Sequence, residues 1–132
     1  MMHGLENLPN FLAYFGACLV LLAAFRALYT LIPPGDEWGQ IRQGNVAAAL
    51  SLGGATIGFC LPLAAAVIHS ASFSEMVMWA AVALVLQLMC FGAMHLLRRD
   101  VAASIARGNT AEATLLAMGA IGLGILNAAC LG

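Results

Sequence analysis

The sequence predicts an all-α polytopic membrane protein. Its four transmembrane helices form two parallel two-helix repeats, with short interfacial helices in the cytoplasmic loops. Three observations predict this. Of 132 residues, 63% are apolar and 8% charged, against about 25% charged in ordinary soluble domains. Four apolar runs reach the roughly 20 residues that cross a bilayer. One stretch is also written twice. Ile41 to Ala65 returns 64 positions later as Ile105 to Ala129, with matches at Gly44/Gly108, Asn45/Asn109, Ala47/Ala111, Leu52/Leu116, Ile57/Ile121, Gly58/Gly122 and Ala64/Ala128. The length suits one domain, 1–132, in halves of about 1–70 and 71–132.

The first run is about Phe11 to Ile32, stopped by Pro33 and Pro34, which cannot continue a helix. The second is about Val46 to Ser70, the third about Glu75 to Leu97, the fourth about Thr110 to Leu131. Each half runs in the same order, so a two-fold axis along the membrane normal is expected between them. Residues 1–10 lack the positive charge of a cleaved signal peptide, and none is expected.

The arginines set the orientation. Arg42 lies in the first loop and Arg26 near the loop-1 end of the first helix; Arg98, Arg99 and Arg107 lie in the third loop; there is no lysine. The positive-inside rule then places loops 1 and 3 in the cytoplasm and both termini outside. Tyr14 and Trp79 would mark the outer interface, Tyr29 and Trp38 the inner one. In loop 1, Trp38 and Ile41 share one face of a helical turn; in loop 3, Val101 and Ile105 do the same. Each loop is read as a short helix lying on the inner leaflet. Each ends at a Gly-Asn pair. Gly44 and Gly108 suit a positive-φ position closing one helix. Asn45 and Asn109 suit the N-cap of the next.

Small residues mark the second and fourth spans. Gly54 and Gly58 form a GxxxG; Ala49 with Gly53, and Ala120 with Gly124, repeat the step. Such faces let helix backbones approach closely in lipid. These spans are therefore expected together at the centre, packed through Gly54, Gly58, Pro62, Gly122 and Gly124.

The run from Thr30 to Ala49 with its Glu37-Trp38 loop, Ile57-Gly58, Leu61-Pro62-Leu63 and the closing Gly124 to Cys130 resemble the YjfL-like bacterial inner-membrane proteins. That family is domain of unknown function 350. The resemblance implies a four-helix inner-membrane protein. It implies no defined activity. It also implies the company of envelope-stress proteins of the phage-shock type.

Polar groups inside a span are functional candidates by default. Four stand out: Arg26, Glu112, Gln87 and Asn127. Arg26 can snorkel toward the inner interface or pair structurally. Glu112 follows Asn109 by three, so it reads as a capping box; the alternative is a proton or cation site. Arg26 and Glu112 are expected to approach each other. Gln87 reads as an interhelical hydrogen-bond donor, or as the lining of a polar path. Pro62 removes the N–H that would serve the Gly58 carbonyl, and Asn127 is expected to donate to a carbonyl there; the alternatives are that it faces outer-interface water or lines a permeation path.

Cys18, Cys60, Cys90 and Cys130 sit in apolar runs without metal-ligand spacing. No metal, cofactor or catalytic group is expected, so the chain is not read as an enzyme. The net charge of -1, with no basic patch, excludes a nucleic-acid partner. The expected partners are the bilayer, further copies of the chain and a cytoplasmic protein. The leading function is a structural or adaptor protein, self-associating through the small-residue faces of the second and fourth spans. The alternative is a small oligomeric channel or permease.

Orientation is directly testable. A phosphatase reporter fused after Gly132 is expected to be active, and a cytoplasmic fluorescent reporter at the same point silent. The opposite pattern reverses the topology.

Overall fold

Backbone inside lipid must satisfy its own hydrogen bonds, and for a short apolar run the helix does so without neighbours. The computed structural model describes residues 8–31, 37–98 and 100–131. They form α1 (Leu8–Tyr29), α2 (Glu37–Arg42), α3 (Val46–His69), α4 (Phe73–Leu97), α5 (Val101–Ala106) and α6 (Thr110–Leu131). Among them α1, α3, α4 and α6 are long and apolar enough to cross a membrane. At 22 to 25 residues each, they extend about 33 to 38 Å, enough for a hydrocarbon core of about 30 Å. Pro33 and Pro34 lie outside the described residues.

Local chemistry sets the starts. α4 begins at Phe73, two residues before the expected Glu75, because Ser72 caps it. Glu75 N–H donates to Ser72 Oγ at 3.2 Å, and Glu75 Oε2 accepts from the Ala71 N–H at 3.2 Å. The Gly-Asn pairs act as expected. Gly44 and Gly108 have φ of 89° and 86°, a region open to glycine at no steric cost. Gly44 N–H donates to the Ile41 carbonyl and Gly108 N–H to the Ile105 carbonyl, both at 2.9 Å. Asn45 Oδ1 then accepts from Ala48 N–H at 3.3 Å, and Asn109 Oδ1 from Glu112 N–H at 3.2 Å.

The dominant packing is α3 against α6. Gly54 lies so close to Ala117 that a Cβ added at 54 would overlap the Ala117 Cβ and backbone. A Cβ at Gly58 would sit 2.5 Å from the Ala120 carbonyl oxygen, and one at Gly124 would run into the Gly58 carbonyl. The central placement of these two spans agrees with the sequence expectation. Its detail does not at three residues. Gly122 has open space around it, as does Gly53, and Ala49 is exposed. Helical rotation turns these outward while Gly54, Gly58 and Gly124 face the seam.

The outer helices depart from a two-fold arrangement. An axis exchanging the halves would set α1 on α6 as α4 sits on α3. Instead α1 packs on α3 and α4 and at most brushes α6. Aromatic residues explain the difference. Phe25 stacks on Phe59 at 4.7 Å between ring centroids, and Tyr29 meets Phe91 edge-on at 4.8 Å. The positions 64 beyond Phe25 and Tyr29 are Met89 and Ala93, both exposed. Only the first half carries the anchor.

The loops also differ in detail from their expected interfacial role. α5 turns Val101 and Ile105 onto Ala47, Ala48, Ala113 and Leu116, so protein covers its apolar face. In α2, Ile41 packs inward and Trp38 stays exposed.

The seam makes a contrast that a thermal melt in detergent can read. Gly54→Ala or Gly124→Ala is expected to destabilise by about 1–3 kcal/mol, the usual range for overpacking a tight contact. Gly53→Ala and Gly122→Ala, on the open side, are expected to be near neutral. Equal effects on both faces would contradict the packing.

Candidate functional site

Two polar constellations stand out in this apolar chain. One lies inside the bundle, the other at the end that carries α2, α5 and the arginines.

Inside the bundle the key side chain is Gln87 on α4, which is 1% exposed. Its Nε2 donates to the Ala120 carbonyl of α6 at 3.2 Å. Its Oε1 accepts from Asn127 Nδ2 at 3.4 Å, and that same nitrogen donates to the Ala83 carbonyl at 3.3 Å. The chain of donors runs Asn127 to Gln87 to Ala120, and joins α4 to α6. Gly58 makes room for it, since a Cβ there would sit 3.1 Å from Gln87 Nε2 as well as against the Ala120 oxygen. Gln87 thus takes the interhelical hydrogen-bond role that its position suggests.

Asn127 does not donate to α3. It turns to α4, because a shared depth in the membrane leaves helical rotation open. The Gly58 carbonyl is matched differently. Pro62 is buried within an unbroken α3 and offers it no N–H. A Gly124 Cβ would point into that oxygen, so the Cα hydrogen standing in its place points there instead. Such Cα–H···O contacts recur where helices meet closely. A further buried bond, Tyr29 Oη with Ser51 Oγ at 2.9 Å, ties α1 to α3.

At the arginine end the expected meeting of Arg26 and Glu112 does not occur. Glu112 Oε1 accepts from Arg98 Nη2 at 2.7 Å. That bond and the Glu112 charge hold the Arg98 pKa above its ordinary value. Arg26 instead lies over the Trp38 ring, 5.0 Å from guanidinium carbon to centroid, a cation–π geometry. The reason is connectivity. Arg98 ends α4, and the short α5 turn brings it back beside the first turn of α6, whereas α1 stands off from α6. Half of the expected capping box forms. Asn109 caps the Glu112 N–H, but Asn109 N–H donates to the Ser104 carbonyl at 3.0 Å, so the carboxylate is free for Arg98.

The two halves are also stitched at this end. Asn45 Nδ2 donates to the Ile105 carbonyl at 2.8 Å and the Ala106 carbonyl at 3.3 Å. Between the two Gly-Asn turns lies an open cavity of about 440 Å³ with Gln40, Gln43, Arg107 and Thr110 on its walls. The sequence reading missed Arg98, Ser51 and the cross-bond of Asn45. The signal for Arg98 was present as a basic residue followed, across a tight helical turn, by an acidic one in the next helix's first turn. Among the described residues no three potential metal ligands cluster, and the four cysteines are free thiols.

The family model for a Domain of Unknown Function (DUF350) matches residues 2–131. The UPF0719 inner membrane protein YjfL of Escherichia coli K12 is 35% identical over 130 residues, 98% of each chain. The UPF0719 transmembrane protein YshE of Bacillus subtilis 168 is 23% identical over 86 residues, 65% of this chain and 64% of the other. No solved structure matches.

The Gln87 network predicts a coupling between helices. Asn127→Leu and Gln87→Leu are each expected to cost about 0.6 kcal/mol, and under ~2 kcal/mol, as interhelical bonds in membranes do. The double variant should cost less than their sum. Asn127→Leu with Pro62→Ala should be additive. A melt series in one detergent checks both cycles, and additivity of the first would dissolve the network.

Proposed function

The chain belongs to this family of bacterial inner-membrane proteins, and from that premise we propose that it serves as a structural, partner-recruiting protein. On this reading the bundle is a rigid support. Its cytoplasmic face is the end with α2, α5 and the two Gly-Asn turns, where Arg42 and Arg107 are exposed. Envelope stress is the setting that the family resemblance suggests.

One observation carries the reading. Four polar side chains inside the spans are spent on holding helices together. Gln87 and Asn127 serve α4 and α6, and Tyr29 and Ser51 serve α1 and α3. A permeation path needs polar groups that face a passage and exchange partners with the permeant. Here the α3/α6 seam is shut by backbone contact at Gly54, Gly58 and Gly124. That favours a scaffold over a pore within one chain.

Self-association remains part of the proposal, with a changed surface. The inward small-residue faces of α3 and α6 are occupied by each other, so copies would meet through outward residues of the same helices, around Gly53 and Gly122.

Two measurements test this. Reconstituted protein is expected to give no saturable ion or solute flux above empty liposomes, and a discrete oligomer by native mass. Saturable flux that Gln87→Leu abolishes would replace the scaffold with a permease. A strictly monomeric protein in mild detergent and in nanodiscs would remove the self-association.

A further inference from the structure

Beside the Arg98–Glu112 pair the structure holds a cavity of about 230 Å³, walled by Met94, Leu97, Val101, Leu115 and Leu116 and by the pair itself. It lies between the end of α4, the start of α6 and α5, where one long apolar helix ends and another begins. Its mouth faces outward, since Leu97 is 85% and Leu115 64% exposed. The cavity is amphipathic in an ordered way: apolar walls on the span side, one cation and one anion at the end.

Three features set it apart from ordinary packing. The fold does not need the pair, because the positions 64 earlier are Pro34 and Ala48, and that half builds its Gly-Asn turn without one. The pair is incomplete: Glu112 Oε2 is buried without a hydrogen-bond partner, which a polar atom in an apolar setting rarely is. Arg98 commits one Nη2 bond to Glu112, and a guanidinium carries five N–H donors.

We propose that this cavity is a binding site for a zwitterionic phospholipid whose headgroup carries a primary ammonium. The upper part of an acyl chain fills the apolar walls. The phosphate accepts hydrogen bonds from the free donors of Arg98. The ammonium donates to the Glu112 carboxylate, whose side chain is 24% exposed. A neutral cation–anion pair discriminates among headgroups by charge order. An anionic glycerol headgroup brings a phosphate near Glu112 with no compensating cation. A choline headgroup brings a cation without an N–H to donate. The ethanolamine headgroup answers both members of the pair.

Native mass spectrometry of the detergent-purified full chain tests the site. Phosphatidylethanolamine, phosphatidylglycerol and phosphatidylcholine of identical acyl chains are titrated in turn. The wild type is expected to bind one phosphatidylethanolamine about three- to fivefold more tightly than the other two, the scale of one partly exposed charge pair. Glu112→Gln should bring the three lipids level, with helix content and melting temperature recorded as the folding control. Leu115→Trp, which fills the cavity and spares the charges, should abolish the bound lipid. It also decides the matter should Glu112→Gln fail to fold. Equal binding of all three lipids by the wild type overturns the headgroup assignment. Undiminished lipid retention by Leu115→Trp overturns the cavity as the seat.

Discussion

Everything else in this bundle is arranged around the approach of two backbones, α3 and α6, along Gly54, Gly58 and Gly124. In water, burial of apolar surface would bring two helices together. In lipid that drive is absent, and close van der Waals contact must replace it. Glycine at three points lets the helices come within backbone range. The same closeness settles the two polar problems of the interior. Gly124 supplies a Cα–H to the carbonyl that Pro62 leaves free, and the bare Gly58 gives Gln87 the space to reach the Ala120 carbonyl. A single methyl group at 58 would disturb helix packing and a buried hydrogen bond together.

Against this tight pair, α1 is attached by local means. Phe25 and Tyr29 are its only buried residues, and both sit near its arginine end. Tyr14 meets Phe73 edge-on at 5.4 Å near the opposite end. Between these points Ala17, Cys18, Leu21 and Leu22 pack half-buried on the core, while Phe15, Leu19 and Val20 are exposed. The bundle thus combines a centre of close backbone contact with an outer helix held by side chains, aromatic near its ends and aliphatic between. Stability differs across a structure in this way wherever buried contacts are unevenly shared.

The sequence made depth legible and left rotation obscure. Apolar run length marked the four spans within a few residues, and the Gly-Asn pairs located both turns, since positive φ and capping are local requirements. The small-residue steps identified which spans meet. They do not say which of two neighbouring glycines faces inward: the expected seam holds Gly54, Gly58 and Gly124, while Gly53 and Gly122 turn outward. Asn127 was placed at the right level and turned toward the wrong helix, because a 64-residue offset relates heights and not azimuths. Arg26 and Glu112 failed for a related reason. Both lie near one membrane face, but the aromatic anchor of α1 draws Arg26 toward α2, while Arg98 reaches Glu112 through the short α5 connection. The repeat itself encouraged a symmetry that Phe25 and Tyr29 break.

The partner of α3 in the tight seam, α6, is made later, with α4 and α5 between them in the chain. Gly54 precedes its contact Ala117 by 63 residues. At ribosomal rates of about 5–20 residues per second, that is a delay of roughly 3 to 13 s. Through that interval the nascent chain holds in the bilayer a helix whose Gly58 carbonyl has lost its own N–H and has not yet met Gly124. Lipid offers it no donor. Until α6 arrives, that carbonyl has to be met by water, by a neighbouring helix such as α4, or by local adjustment of α3 itself.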